Sequence, residues 1–228
     1  MNAMILAAGL GKRMRPLTLT KPKPLLEVAG VPLIEYHIRR LVDAGVKRIV
    51  INHAWLGDQI EVYLGRGERF GVEILYSREG EPLETAGGIR KALDLLKRDG
   101  VGSFLLVNGD VFTDYPFEKV AEDESDPYLV LVKNPSHNPA GDFAIEGGLL
   151  VTEGNARYTF SGISRLPIKL FEELELDKAA PLAPLLRDAI SQGGVSGEVY
   201  NGFWADIGTP QRLEEINKLV MEKGIDGL

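Results

Sequence analysis

The densest run of residues able to do chemistry is Leu6-Ala7-Ala8-Gly9-Leu10-Gly11-Lys12-Arg13-Met14-Arg15-Pro16-Leu17-Thr18. Glycines that follow a strand let backbone N–H groups approach a phosphate with no Cβ in the way. Lys12 and Arg13 add charge that can follow a triphosphate. The first acidic residue is Glu27, and five cations precede it: Lys12, Arg13, Arg15, Lys21 and Lys23. In a chain of net charge −7, that local excess points to a polyanionic ligand. Two common phosphate motifs do not match. A P-loop needs a longer gap between its glycines than the one before Lys12, and a dinucleotide fingerprint needs a third glycine where Met14 stands. A tight turn with solvated cations is the bland alternative.

Pro22-Lys23-Pro24-Leu25 is the second candidate. Flanking prolines restrict the backbone and aim Lys23 in one direction, which lowers the ordering cost of gripping a phosphate. The third is Asn108-Gly109-Asp110, at the end of an apolar run, where a carboxylate suits a hard cation; Asn-Gly-Asp is equally good turn chemistry. Its candidate partner is Asp206 in Trp204-Ala205-Asp206-Ile207-Gly208-Thr209-Pro210. Two carboxylates can hold Mg²⁺, which keeps waters and takes phosphate oxygens in its other positions. Asp206 could instead cap the last helix, although Thr209, with Pro210 at the first helical position, is better placed for that. His37, His53 and His137 form no ligand or base spacing, and His37 reads as helix packing. No serine stands in a nucleophile elbow. With no nucleophile and base pair, the chemistry that fits is phosphoryl-type transfer, in which positioning and electrostatics dominate.

These residues need a scaffold that brings the ends of distant strands together. Met4–Ala8, Arg48–Asn52, Val72–Tyr76 and Phe104–Val107 read as strands, alternating with helices at Pro32–Ala44, Asp58–Leu64 and Gly87–Leu96. Gly45 is placed to end the first helix. Such alternation predicts an α/β, Rossmann-like fold with a mainly parallel central sheet and helices on both faces. Ligands bind beyond the carboxyl ends of such strands, which is where the glycine loop and Asp110 fall. After Asp114 the pattern changes to short strands at Tyr128–Val132, Phe143–Ile145, Leu149–Val151 and Tyr158–Ser161. Helices follow at Ile168–Leu174 and Leu182–Gln192, then strands at Gly197–Tyr200 and Gly202–Asp206, and a final helix from Pro210 to Lys223. The expectation is one domain over residues 1–228, with a nucleotide-binding half (1–114) and a small β-rich lobe within a sugar-phosphate-binding half (115–228).

Composition excludes other classes. There is no cysteine, so disulfides, thiolate metal sites and thiol nucleophiles are out, and a reducing cytoplasm fits. No apolar run approaches the roughly 18–20 residues that span a bilayer. Met1–Leu10 is apolar but lacks a basic start, so it reads as a buried strand and not as a signal peptide. The negative charge argues against nucleic-acid binding.

Taken together, the loop Leu6–Arg15, Pro22-Lys23-Pro24, Asn108-Gly109-Asp110 and Trp204–Thr209 resemble, in the same order, the sugar-phosphate nucleotidyltransferase family. Ile51–Gly57, Glu81–Gly88 and Thr159–Ile163 are similar to the branch that joins UTP to N-acetylmuramate 1-phosphate in cell-wall recycling. The resemblance implies small-molecule substrates, a nucleoside triphosphate and a sugar 1-phosphate, with Mg²⁺ as cofactor, in a monomer or small homo-oligomer. It implies that Leu6, Ala8, Gly9, Gly11, Lys12 and Arg13 bind the triphosphate and that Lys23 reaches the attacked phosphate. Glu84–Gly88 would border the base, with Glu84 and Gly87 as contacts and Gly87 close to its edge, and Asn108 would meet the nucleotide. Arg13, Lys23 and Asp110 would be catalytic, and Asp110 and Asp206 would hold the metal. Asn138, Gly141 and Asp142 would face the sugar phosphate. Larger hexose 1-phosphate members use a Glu-Lys-Pro lysine for that phosphate, of which Lys133-Asn134-Pro135 is a partial echo, so Arg165 is added as a candidate. The loop sees only phosphates, so mannose or glucose 1-phosphate with GTP, UTP or dTTP is the rival chemistry. A catalytically inactive nucleotide-sugar-binding regulator is the rival from another class.

Overall fold

The computed structural model describes residues 1–122, 127–154 and 156–224. Its strands are β1 (Asn2–Leu6), β2 (Glu27–Val28), β3 (Val31–Pro32), β4 (Arg48–His53), β5 (Glu73–Arg78), β6 (Ser103–Asn108), β7 (Val111–Thr113), β8 (Tyr128–Val132), β9 (Phe143–Glu146), β10 (Leu149–Val151), β11 (Arg157–Pro167), β12 (Ser196–Tyr200) and β13 (Trp204–Asp206). The helices are α1 (Leu33–Asp43), α2 (Gly57–Leu64), α3 (Glu84–Leu96), α4 (Glu118–Glu122), α5 (Leu182–Ser191) and α6 (Pro210–Lys223).

β5, β4, β1 and β6 pair in parallel, with Leu6 opposite both Asn52 and Asn108. This register aligns the carboxyl ends of the strands. Their residues are apolar on both faces because both faces are covered. Ala3, Ile5, Ile49 and Ile51 pack with α1 and α2, while Met4, Val50, Phe104 and Leu106 pack with α3 and α5. A third cluster joins Met14, Leu33, Tyr36 and Phe112 to Leu213, Ile216 and Val220 of α6.

Local stop signals act as expected. Gly45 takes φ 82°, and Val46 N donates to Leu41 O at 3.0 Å and Gly45 N to Val42 O at 2.9 Å, the paired bonds that close a helix C-terminus. Thr209 caps α6, its side chain accepting from Arg212 N at 3.4 Å, with Pro210 as the first helical residue.

The second half corrects the expectation of a mainly parallel sheet. One nine-stranded sheet runs β5-β4-β1-β6-β11-β8-β12-β10-β9. It is mixed, since β11 lies antiparallel between β6 and β8. The reason is that β11 is far longer than its expected segment, Tyr158–Ser161. A register shift between Phe160 and Ile163, with Gly162 at φ 80°, lets its first part pair with β9 and its last part with β6. The helix expected at Ile168–Leu174 is a single 3₁₀ turn, Ile168–Phe171, whose end residues both bury in the α3 cluster.

Candidate active site

A cavity of about 530 Å³ opens at the carboxyl ends of the four parallel strands. Leu6 to Met14, Lys23, Asn52, Glu79, Glu84, Thr85, Asn108 and Asp110 line it. The loop is built by its own residues. Gly11 has φ 59°, and a Cβ there would lie 2.8 Å from Thr18 Cγ2, so only glycine fits. Thr18 Oγ1 donates to Gly11 O at 2.7 Å. Met14, the residue that departs from a dinucleotide fingerprint, is buried and anchors the loop in the α6 cluster. That anchorage leaves Lys12 and Arg13 exposed, with no ion pair among the described residues.

A hydrogen-bonded chain ties this loop to the far wall. Ala7 N donates to Asn52 Oδ1 at 2.9 Å, Asn52 Nδ2 donates to Glu79 Oε1 at 2.6 Å, and Leu83 N donates to Glu79 Oε2 at 2.9 Å. Glu79 is 2% exposed, so these bonds hold a buried carboxylate at the cavity wall. The sequence-based expectations placed Thr85 here, within Glu84–Gly88, but missed Asn52 and Glu79. Asn52 ends the apolar run Ile49-Val50-Ile51 just as Asn108 ends its own, and that parallel was the available signal.

Lys23 projects from the Pro-flanked turn Lys23–Leu25, and its Nζ donates to Asp110 Oδ2 at 2.7 Å. Asn108 and Asp110 both reach the cavity. Asp206 ends β13, which pairs antiparallel with β7, and Ile207 N donates to Asp110 O at 2.8 Å. Its Oδ2 accepts from Arg212 Nη1 at 2.6 Å, and its Oδ1 lies 3.4 Å from His137 Nε2. Among the described residues there is no cluster of three or more metal-ligating side chains. The test of the implied Mg²⁺ therefore rests on Asp110, Asp206 and the space beside them. At Gly208 a Cβ would stand 3.3 Å from Asp206 Oδ2 and 3.4 Å from Arg13 Cζ, so the glycine keeps open a cradle between carboxylate and guanidinium. Two oxygen donors and an open cradle suit an ion that takes its remaining ligands from phosphate and water.

Three expected positions move. Gly87 does not line the cavity. It turns toward the irregular segment at 178–180, where its N–H donates to Ala180 O at 3.1 Å. Gly88 instead faces Asn52 and Glu79, one residue on around the helix. Arg165 is fully buried within β11, with Nη1 donating to Val120 O at 3.1 Å, so it cannot meet a sugar phosphate in this structure. This part of β11 is covered on both faces, since Ser164 and Leu166 on either side of it are also fully buried. Gly141 is buried, and a Cβ there would meet Tyr158 N and Arg157 C at 2.9 Å, which is a packing constraint.

Asn138 and Asp142 hold one another in a turn: Asn138 Nδ2 donates to Asp142 Oδ2 at 3.2 Å, as does Phe160 N at 2.8 Å. Asp142 lines a second cavity of about 500 Å³, which shares Glu84, Thr85 and Asn108 with the first. Glu84 stands between the two at φ 58°, an uncommon conformation for a side chain of its size. Gly162 abuts the same junction, where a Cβ would lie 2.5 Å from Asn108 Nδ2, so this glycine lets the strand pass the asparagine.

The arrangement is a glycine-rich loop whose Lys12 and Arg13 have no ion pair among the described residues, a lysine and carboxylate pair, and an adjoining second chamber. A nucleotidyl transferase family model matches residues 2–143, from the glycine loop to the second chamber. The chain belongs to the nucleotidyl transferase family. Within it, the chain is 50% identical to N-acetylmuramate alpha-1-phosphate uridylyltransferase of Neisseria meningitidis, over 96% of this chain and 98% of that one. It is 32% identical to a mannose-1-phosphate guanyltransferase of Aspergillus fumigatus, over 92% of this chain but only 62% of that longer one. A crystal structure of a Bacillus anthracis protein in complex with a sucrose superposes with a TM-score of 0.83, at 22% identity and covering 96% of this chain and 95% of that one. The last likeness concerns the fold alone.

Proposed function

We propose that this nucleotidyl transferase is a cytoplasmic, Mg²⁺-dependent uridylyltransferase that joins UTP to N-acetylmuramate 1-phosphate in cell-wall recycling. The observation that carries the reading is the 50% identity to the Neisseria enzyme over nearly the whole of both chains.

In the proposed reaction, a phosphate oxygen of the sugar 1-phosphate attacks the α-phosphorus of UTP. The bond from that phosphorus to the bridging oxygen breaks, and pyrophosphate leaves with the electron pair. The loop N–H groups from Ala8 to Gly11, with Lys12 and Arg13, hold the triphosphate at the mouth of the first cavity. Lys23 neutralises charge that develops on the attacked phosphate, where a preorganised donor contributes most. Asn52 and Glu79 fix the wall, and Glu84, Thr85 and Asn108 orient the groups that meet between the two chambers. Asp110 and Asp206 would hold Mg²⁺, which when bound supplies Lewis-acid stabilisation of phosphate oxygens.

The test is pyrophosphate release from each of four triphosphates against a panel of sugar 1-phosphates with Mg²⁺. Turnover confined to UTP with N-acetylmuramate 1-phosphate is the expected result. Preference for GTP with mannose 1-phosphate is the second reading, favoured by the Aspergillus relative, and would displace the first. Absence of release with every pair would make the chain a nucleotide-sugar-binding regulator, a role at odds with its retention of Arg13, Lys23, Asp110 and Asp206.

A further inference from the structure

The second cavity has a floor of Phe143, Phe160, Leu182 and Leu186, and one basic side chain among its lining residues, Arg187. Arg187 follows Leu186 on α5, whose Leu182, Leu186 and Ile190 face the core, so the guanidinium stands at the rim. It is exposed and has no ion pair or hydrogen bond among the described residues. The other polar groups of the chamber are differently employed. Asp142 Oδ2 already accepts from Asn138 and from Phe160 N, and Glu84, Thr85 and Asn108 form the passage to the first cavity.

The phosphate loop, Lys23 and Asp110 line only the first cavity, and Arg187 lines only the second. A sugar 1-phosphate bound for transfer must put its phosphate toward the first. An anion at Arg187 is therefore a different group, carried on the sugar ring itself. We propose that Arg187 binds a carboxylate on the sugar of the acceptor and so selects acidic sugar 1-phosphates over neutral ones. A guanidinium fork matches a carboxylate in two parallel hydrogen bonds, and an apolar floor strengthens that pairing and accommodates the methyl groups of acyl or ether substituents. The inference rests on the proposed transfer to N-acetylmuramate 1-phosphate, whose ring carries a carboxylate. Arg187 would be a specificity-determining residue and would leave the phosphoryl chemistry to others.

Three acceptors separate the possibilities: N-acetylmuramate 1-phosphate, its carboxamide, and N-acetylglucosamine 1-phosphate. Each is assayed with UTP, by turnover or, where turnover is absent, by its inhibition constant. Arg187→Ala is expected to raise KM for the acidic acceptor about 10- to 100-fold, the loss typical of a hydrogen bond to a charged group. Constants for the two neutral acceptors and for UTP should stay within about twofold, since nothing they require is removed. Arg187→Lys should fall between, keeping the charge without the fork. An unchanged KM for the acidic acceptor, or an equal loss on all three with a normal melting temperature, overturns the assignment of Arg187. Failure of the wild-type protein to use the acidic acceptor overturns the reading of function itself, and the inference with it.

Discussion

Lys23 Nζ lies 2.7 Å from Asp110 Oδ2, an ion pair between residues 87 apart in sequence that meet at the rim of the first cavity. The proline-bounded turn and the end of β6 converge because β1 and β6 are neighbours. The pair joins the cation proposed to meet the attacked phosphate to a carboxylate proposed to meet the metal. Substrate and metal would therefore exchange partners with it. Lys23→Ala is expected to lower kcat about 10²- to 10³-fold, as loss of one preorganised donor does. The lysine lies on a loop outside the core clusters, so the melting temperature should hold. Near-normal turnover in that variant would remove Lys23 from the mechanism.

The proposed metal dependence rests on Asp110 and Asp206. Chelation with EDTA is expected to stop pyrophosphate release, and added Mg²⁺ to restore it. Asp110→Asn and Asp206→Asn should each raise the Mg²⁺ concentration giving half-maximal rate, because each removes one anionic ligand. A titration of rate against Mg²⁺ for the three proteins checks this. Coincident curves would exclude both residues as ligands.

Two glycines of the loop separate folding from binding. Gly11 has φ 59° and no room for a Cβ, whereas a Cβ on Gly9 meets nothing within 4 Å. Gly11→Ala should cost about 1–2 kcal/mol of stability from the left-handed backbone alone. Gly9→Ala should leave urea unfolding unchanged while raising KM for UTP, since its methyl group enters the space where phosphate approaches. Equal stability of the two variants would contradict the loop geometry.

His37 sets a pH limit on stability. Burial holds its pKa down to about 4, against smaller opposing contributions from a hydrogen bond with the Val111 backbone and the charge of Asp110. The unfolded chain, with a histidine near 6.5, binds the proton more readily. The contribution of His37 is thus complete above about pH 6.5 and is lost as pH falls toward 4. Between pH 7 and pH 5 it should remove about 2 kcal/mol of unfolding free energy. Carboxylates titrate nearby, so the quantity to measure is the difference between wild type and His37→Leu in urea unfolding at both pH values. Parallel losses in the two proteins would show that His37 is not protonated on unfolding.

What the sequence by itself determined about this protein is local. Unbroken apolar runs at Met4, Ile49 to Ile51 and Phe104 to Val107 demand a sheet covered on both faces, and a loop of glycines and cations after the first run demands a polyanion. Thr209 with Pro210, and Gly45 after Leu41 and Val42, start and stop helices through bonds made within a few residues. The tertiary structure alone decided what depends on partners far along the chain. Strand direction in the second half is one such matter, because β11 pairs with β8 on both sides of a glycine bulge and reaches β6 only beyond it. Cover on both faces of β11 buries Arg165, which by type and position had looked available for a phosphate. A single helical step of about 100° puts Gly88 rather than Gly87 beside Asn52 and Glu79. Arg187 carries no local signal: it is one more polar residue after Leu186, until the packing of α5 sets it on the rim of a chamber built from five separate segments.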